Sequence, residues 1–263
     1  MEAGQNLASP AETPKPQNFF SRLMGVLFSP GETFAEIGRA PSVFLPLVCA
    51  ALLAAVTVFA INNRYGWDNT IRKQNEIAIE MMEKFNAPPD RVEAAKKQME
   101  DQLKPENISR LKVRTTGSVF FFFIVILLVV AGVFKLFTSV MGASNTFKGV
   151  LSAVSFAYLA IGVITCLVTV LSVYLKNPED INLQNPVASN LGAILTMVGA
   201  GLPKFLIGLA GFIDIFSIWR ITLLAIGCAA VTTKMKTGTA AIPHVLLYVV
   251  AAVFGAFAAS FMN

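Results

Sequence analysis

The segment Leu206–Val231, LIGLAGFIDIFSIWRITLLAIGCAAV, decides how the rest of the chain must be arranged. It is apolar enough to cross a bilayer, yet it contains Asp214 and Arg220. A charge near the middle of a membrane helix costs roughly 2.5 to 3.5 kcal/mol, and each Leu, Ile, Phe or Val offsets roughly 0.3 to 0.6 kcal/mol. The segment has 13 such residues, so its net insertion energy is close to zero. The sequence therefore predicts a membrane helix that is stable only among neighbours that shield or pair its charges.

The composition of the whole chain is that of an integral membrane protein. Hydrophobic residues make up 55% of 263 positions, charged residues only 14%, and the mean hydropathy is +0.63. A soluble domain has about 25% charged residues. The polar N-terminus lacks a signal-peptide pattern, so the first span is expected to act as an uncleaved insertion signal. The net charge of +5 comes without a basic cluster interleaved with aromatics, so nucleic acid is not an expected partner.

The N-terminal 40 residues divide into a tail and an amphipathic part. Residues 1–17 are polar and proline-bearing, which predicts a disordered tail. Residues 18–40 are predicted to form two short interfacial helices, because apolar residues recur at helical spacing with Arg22 on the opposing side. The candidate membrane-surface contacts are Phe19, Phe20, Arg22, Leu23, Leu27 and Phe28. Two interpretations remain open: a membrane-hugging anchor, or a regulated surface for a partner.

The remaining chain, 41–263, is predicted to be an all-α transmembrane domain with five spans. The expected spans are 43–61, 117–140, 149–175, 206–233 and 242–261. The polar segment 62–117 predicts an extramembrane helical hairpin, either simply solvated or a module that binds a protein partner. The apolar stretch 187–202 is short for a span and suits a half-helix or a re-entrant piece. The predicted fold class is thus a five-span helical bundle with N-terminal amphipathic helices and an extramembrane hairpin.

The distribution of basic residues favours a cytoplasmic N-terminus. With that orientation, short cytoplasmic segments carry several lysines and arginines, as the positive-inside rule requires. Basic residues of the 62–117 insert near the span ends, such as Arg64 and Arg114, argue for the opposite orientation.

No pattern in the chain predicts catalysis, a metal site or a cofactor. Phosphate-binding glycine loops, zinc-binding HExxH and the GxSxG nucleophile elbow are missing from the sequence. Cys49, Cys166 and Cys228 lie in apolar runs, where a thiol is a small hydrophobe. The lone His244 cannot build a metal site and is expected at the membrane interface. We therefore expect a protein that is not an enzyme and has no cofactor.

The candidate intramembrane polar site consists of Asp214, Trp219 and Arg220 in the fourth span, with Asn190 in the apolar stretch before it. Six residues separate the two charges, so on one helix they point about 120° apart and pair poorly unless the helix breaks. Each charge is expected to meet a partner on another helix, a water-filled cavity or the membrane surface. The candidate partner residues are Asn190, Tyr158, Thr165 and Thr169. One interpretation is a path for an ion, a proton or a lipid headgroup. The other is a polar clamp that fixes helix register, with Trp219 at the interface.

Three segments give the chain a family resemblance. They are RLMGVLFSPGETFAEI at 22–37, NPVASNLG at 185–192 and IDIFSIWRITLLAIG at 213–227. Together they resemble the Yip (Ypt-interacting protein) domain family of membrane proteins over residues 18–262, and the composition resembles its prokaryotic branch. The resemblance implies five spans, a cytoplasmic N-terminus and no known catalytic residues. The eukaryotic branch is implicated in vesicle trafficking through Rab-type GTPases and in shaping membranes.

These observations lead to two functional hypotheses. The first is a non-enzymatic scaffold or organiser of membrane partners or lipids in the cytoplasmic (inner) membrane of a prokaryote. Its partners would be the lipid bilayer and proteins bound through the 62–117 hairpin or the N-terminal helices. The second is a small transporter, channel or lipid-moving protein that uses the Asp214 and Arg220 region as a polar path.

Overall fold

The computed structural model describes residues 17–183, 185–199 and 201–261, and most of these residues are α-helical. The helices are α1 (Phe19–Phe28), α2 (Pro30–Arg39), α3 (Phe44–Tyr65), α4 (Trp67–Lys84), α5 (Pro89–Gln102), α6 (Pro105–Val140), α7 (Phe147–Leu175), α8 (Leu191–Met197), α9 (Lys204–Gly211), α10 (Ile215–Ala230) and α11 (Thr237–Phe261). The all-α fold class is confirmed over this part of the chain. The predicted disordered tail lies outside the described residues apart from Gln17.

Four helices, α3, α6, α7 and α11, are long and apolar enough to cross a membrane. Helix α7 lies at the centre of the bundle and packs against α3, α6 and α10. Its small residues Gly149, Ala153 and Ala157 are buried, as expected for a face that lets neighbouring helices approach closely. The outer faces carry large exposed apolar side chains such as Phe121 and Leu171, which suit contact with lipid.

Two polar contacts mark the ends of the bundle. At the end covered by α1 and α2, the Ser152 hydroxyl donates to the Ser42 carbonyl oxygen over 2.9 Å. At the other end, the Arg64 guanidinium donates to the carbonyl oxygens of Val173 and Lys176 over 3.3 and 2.7 Å. From Ser152 to Val173 the helix rises about 32 Å, which matches a hydrocarbon core of about 30 Å. We call these the α1–α2 end and the insert end.

The single helix expected over 206–233 does not form. The chain instead builds two helices, α9 and α10, separated by a break at Phe212–Asp214. The apolar stretch 187–202 gives only the seven-residue helix α8, which packs on α9. The backbone at the break pairs with the chain before α8, because the Leu191 amide donates to the Ile213 carbonyl oxygen over 3.0 Å. Hydropathy counting does not register this pairing between distant segments.

The insert between the first two spans contains α4, α5 and the start of α6. Gly66 turns the chain from α3 into α4 with φ of +101°, a backbone conformation that side-chain-bearing residues rarely adopt. Helices α4 and α5 lie against each other, with the Asn75 amide donating to the Gln102 side-chain oxygen over 2.9 Å. Helix α6 then runs continuously from Pro105, well before the predicted start of the second span at 117.

His244, which the sequence places at the membrane interface, is buried between helices. It is 4% exposed, and its ring stacks on that of Phe134 with centroids 5.3 Å apart. Pro243 precedes it inside α11 without ending the helix. Because the α11 face at this point is covered by α6, the imidazole acts as a flat packing surface rather than a surface group.

Candidate functional site

Asp214 lies at the break between α9 and α10 and caps the N-terminus of α10. Its Oδ1 accepts hydrogen bonds from the amides of Phe216 and Ser217 over 2.9 and 3.0 Å. The first amides of a helix have no intrahelical partner, and Asp is among the best residues at this position. The carboxylate is therefore engaged by the start of α10.

Asn190 lies opposite Asp214 and caps the N-terminus of α8. The two residues form an antiparallel backbone bridge. The Asn190 Oδ1 accepts from the Ala193 amide over 2.9 Å, and its Nδ2 donates to the Asn185 Oδ1 over 2.7 Å. Two helix starts thus meet at one point inside the bundle. Gly192 lets α8 lie close against α9, since an added Cβ would lie 2.5 Å from the Ile207 carbonyl oxygen.

The break lies at membrane depth. Helix α10 rises about 24 Å from Asp214 to its end at Ala230, where Val231 lies against Gly38 at the α1–α2 end. The break is therefore inside the hydrocarbon zone, closer to the insert end. Arg220, ten positions from Ala230, is about 15 Å from the α1–α2 end of this helix and near the middle of the bundle.

Arg220 lies between two tyrosines of neighbouring helices. Its guanidinium carbon is 5.5 Å from the ring centroid of Tyr158 on α7 and 5.7 Å from that of Tyr248 on α11. Its Nη2 donates to the Ser217 hydroxyl over 3.3 Å. Among the described residues no carboxylate forms an ion pair with it. Desolvated cation–π contacts are worth up to about 2 kcal/mol each, so Arg220 joins three helices without a salt bridge.

A cavity of about 910 Å³ lies between α8, α9 and the last turns of α11. Its polar lining residues include Lys176, Asp180, Asn182, Asn185, Asn190, Thr196 and Lys204. The wall along α9 and α11 is small and apolar, with Gly208, Gly255, Ala258 and Ala259. Its lining runs from Lys176, which follows α7 at the insert end, to Phe212 at the helix break.

Comparison of the chain with models of known protein families shows to which family it belongs. A model of the Yip1 domain matches residues 24–259, nearly the whole described chain. The chain belongs to the Yip1-domain family. No curated protein and no solved structure matches it. The resemblance carried by the three sequence segments is thus confirmed, and with its four long apolar helices this Yip1-domain chain is a multi-pass membrane protein.

The Yip1 domain brings together some of the polar residues singled out from the sequence and separates others. Asn190 meets Asp214 at the break, and Tyr158 contacts Arg220. Trp219 instead packs half-buried against the hydrophobic core. The Thr165 hydroxyl donates to the Ile161 carbonyl oxygen of its own helix over 3.0 Å. Thr169, the remaining expected partner, is buried on α7.

Sequence reasoning missed Tyr248 and Ser217. The Tyr248 hydroxyl donates to the Phe212 carbonyl oxygen over 2.6 Å, which pairs a backbone group freed by the break. The Ser217 hydroxyl accepts a hydrogen bond from the Arg220 guanidinium. A tyrosine in the middle of the apolar run of α11 was the available signal, because a buried phenol hydroxyl needs a partner.

The N-terminal helices of the Yip1 domain form a second candidate site, and here Arg22 is a correction. Arg22 is 5% exposed rather than at the membrane surface, and its Nη2 donates to the Glu36 Oε1 over 2.8 Å. Its Nη1 donates to the Ser42 hydroxyl over 3.0 Å. The polar side of α1 faces protein because α2 supplies a carboxylate there. A charged side chain opposite an apolar stripe does not therefore have to face water.

The apolar side chains of α1 divide into two groups. Phe19, Leu23 and Leu27 pack against the hydrophobic core, with Phe19 and Phe156 ring centroids 6.0 Å apart. Phe20 and Phe28 are 74% and 76% exposed, with Met24 exposed between them. Of the side chains expected at the membrane surface, only Phe20 and Phe28 are therefore exposed. On α2, Phe34 is fully buried against Gly227 of α10, which fixes the orientation of both helices.

The described residues contain no group of three His, Cys, Asp or Glu side chains that could hold a metal ion. Cys49, Cys166 and Cys228 are free thiols, two of them buried. The arrangement offers helix caps, a stacked arginine, an amphipathic cavity and an oriented apolar face, which are features for holding helices and lipids.

Proposed function

We propose that this Yip1-domain protein is a non-enzymatic organiser of membrane lipids and partners that acts through its N-terminal helices. The observation that carries the proposal is the exposed face formed by Phe20, Met24 and Phe28, which we call the α1 face. Amphipathic helices bury such a face about 5–10 Å into the boundary between headgroups and acyl chains. A helix inserted there occupies space in one leaflet only.

The α1 face is held rigidly, and this distinguishes it from a loose anchor. The Arg22–Glu36 ion pair lies on its buried side, with side chains 6% and 13% exposed. Phe34 fixes α2 against α10 at Gly227. Because the orientation of α1 is set by the bundle, the face enters the lipid at a fixed angle and depth. Such a device can distribute the protein, and partners bound to it, according to the packing of the surrounding leaflet.

The proposed topology places this face on the cytoplasmic side of a prokaryotic cytoplasmic membrane. Helices α9 and α10 together make a fifth, broken crossing, and the N-terminus is inside. Basic residues at the α1–α2 end support this orientation through the positive-inside rule: Arg39, Lys135, Lys148, Lys234 and Lys236. The insert of α4 and α5 then projects on the opposite side, where it offers a separate surface for a protein partner.

The test measures how the protein partitions between membranes of different curvature. The purified chain is reconstituted into vesicles of mixed diameter, and its density per membrane area is measured by fluorescence on each vesicle. We expect enrichment on small vesicles for the wild type and its loss in the Phe20→Ala/Phe28→Ala double variant. The matched control is Phe121→Ala/Phe122→Ala on α6, where both residues are exposed to lipid away from α1. Even distribution of the wild type, or equal sorting of the double variant, would refute the proposal.

Transport is the second candidate function, and the helix break at membrane depth is the observation that favours it. Broken helices line substrate paths in several transporter folds. Against it, the Asp214 carboxylate caps α10 and Arg220 is covered by two tyrosine rings. A flux or lipid-scrambling assay with Asp214→Asn separates the candidates. Flux that disappears in this variant while folding is unchanged would replace the organiser with a transporter.

A further inference from the structure

We propose that the cavity between α8, α9 and α11 binds one phospholipid from the leaflet at the insert end. Its phosphate would lie at Lys176 and Lys204, and one acyl chain would lie along the small residues of α11. This site is separate from the α1 face and belongs to the other leaflet, so it does not depend on the proposed organiser role.

The first argument is the position of the cavity. Its mouth lies at the level of the Arg64 contact with Lys176, which marks the insert end of the bundle. Its inner limit is the helix break, inside the hydrocarbon zone. A ligand that fills it therefore has one end among headgroups and the other among acyl chains. At about 910 Å³ the cavity is at the upper end of the range of small-molecule sites, about 300–1,000 Å³.

The second argument is the charge at the mouth. Lys176 donates to the Pro186 carbonyl oxygen over 2.8 Å, which uses one of its three N–H groups. Lys204 begins α9 on the other side, and Asp180 is the carboxylate between the loop and the cavity. Among the described lining residues, two ammonium groups therefore face one carboxylate. Lysine is a common phosphate binder as a point charge.

The third argument is the apolar wall, which selects an acyl chain over a sugar or a peptide. Along α11 the lining residues Ala258 and Ala259 have no side chain beyond Cβ, so a linear chain can lie against the helix as far as Gly255, which the Phe212 ring covers. The deepest amides, those of Asn185 and Asn190, are hydrogen-bonded to each other over 2.7 Å. A polar ligand reaching this depth would have to break that pair, whereas an acyl chain does not.

The experiment measures binding of defined phospholipids to the purified chain by native mass spectrometry in detergent. The probes are a phosphatidylglycerol and a phosphatidylethanolamine with the same acyl chains. Ala258→Phe fills the cavity, and its control is Ala251→Phe, two turns earlier and also exposed on α11. Lys204→Gln removes a mouth charge, and its control is Lys236→Gln, exposed at the α1–α2 end.

We expect one phospholipid bound per chain, a loss of at least tenfold in affinity for Ala258→Phe and little change for Ala251→Phe. Lys204→Gln should weaken phosphatidylglycerol about fivefold, the effect of one lysine near an anionic lipid. Equal binding by Ala258→Phe and its control would overturn the proposal, as would equal effects of the two lysine variants. Displacement of the lipid by excess inorganic phosphate would show an anion site instead. If Ala258→Phe does not fold, the lysine pair decides alone.

Discussion

Glu36→Gln should release the N-terminal helices from the bundle, because it leaves the buried Arg22 guanidinium without its counter-charge. Glu36 Oε1 accepts from Arg22 over 2.8 Å and also from the Gln17 amide over 3.2 Å. The glutamine keeps the size and one acceptor oxygen but removes the charge. The second carboxylate oxygen and the Arg22 Nε have no partner, so no other group compensates for the loss.

The free-energy cost of Glu36→Gln follows from the burial of the Arg22–Glu36 ion pair. Removing one partner of a buried ion pair typically costs about 3–5 kcal/mol. Both side chains are largely shielded from water, so solvent screening reduces this little. The retained amide favours the lower limit of about 3 kcal/mol, and at about 1.4 kcal/mol per factor of ten the open population rises about 150-fold. Replacing both residues, Arg22→Met with Glu36→Leu, should cost much less, since no unpaired charge is then left buried; this variant has no cleavage site at position 22, so it is compared by thermal unfolding.

Trypsin cleavage after Arg22 in detergent micelles measures this opening. Cleavage requires the bond to leave the bundle, and its rate follows the open population when reclosing is fast. The matched control is Glu32→Gln, an exposed carboxylate on the same helix. Gel filtration verifies that the rest of the fold survives. Equal cleavage rates for Glu36→Gln and Glu32→Gln would refute the reasoning, because the ion pair would then not hold α1 and α2.

Three further predictions concern close contacts and the helix break. Gly227→Leu should also speed trypsin cleavage of α1, since even a Cβ there would lie 2.8 Å from the Phe34 ring, whereas Gly132→Leu, in open space, should not. Asp214→Ala should lower the free energy of unfolding by about 1 kcal/mol and Asp214→Asn by much less, because Asn caps helices equally well; equal losses in thermal unfolding would contradict the cap. Arg220→Lys should lower the melting temperature in detergent, because an ammonium cannot lie flat against two rings; an unchanged value would remove the stacking argument.

Much of the bundle was predictable because its signals are local. Long apolar runs mark α3, α7 and α11, and small residues at every fourth position mark where helices meet. Gly149, Ala153 and Ala157 illustrate this, since all three are buried on α7. The same counting failed for 206–233, because hydropathy adds residues one at a time. It does not register that the backbone at Ile213 has a partner at Leu191.

For the candidate sites, the sequence predicts which residues are involved better than it predicts what each of them does. Asp214 and Arg220 were expected to need partners, and Asn190 and Tyr158 were among those named. The break in the helix changed what each charge does, and a break that depends on another segment leaves no periodic signal. The predicted position of Arg22 at the membrane surface was wrong for a related reason. Sequence periodicity gives the two sides of α1, but only the position of Glu36 on the folded α2 decides which side faces protein.

The break itself explains why polar residues occur inside so apolar a segment. Backbone groups freed at membrane depth have no water to bind, and each costs several kcal/mol if left alone. Here the Asp214 carboxylate accepts hydrogen bonds from two amides of α10. The Leu191 amide donates to the Ile213 carbonyl oxygen, and the Tyr248 hydroxyl donates to the Phe212 carbonyl oxygen. Asp214 therefore pairs backbone groups freed at the break, and Arg220, six positions further along the chain, holds α10 against its two neighbours by stacking. A continuous helix would not need the Asp214 cap, so this carboxylate inside an apolar segment is explained by the break.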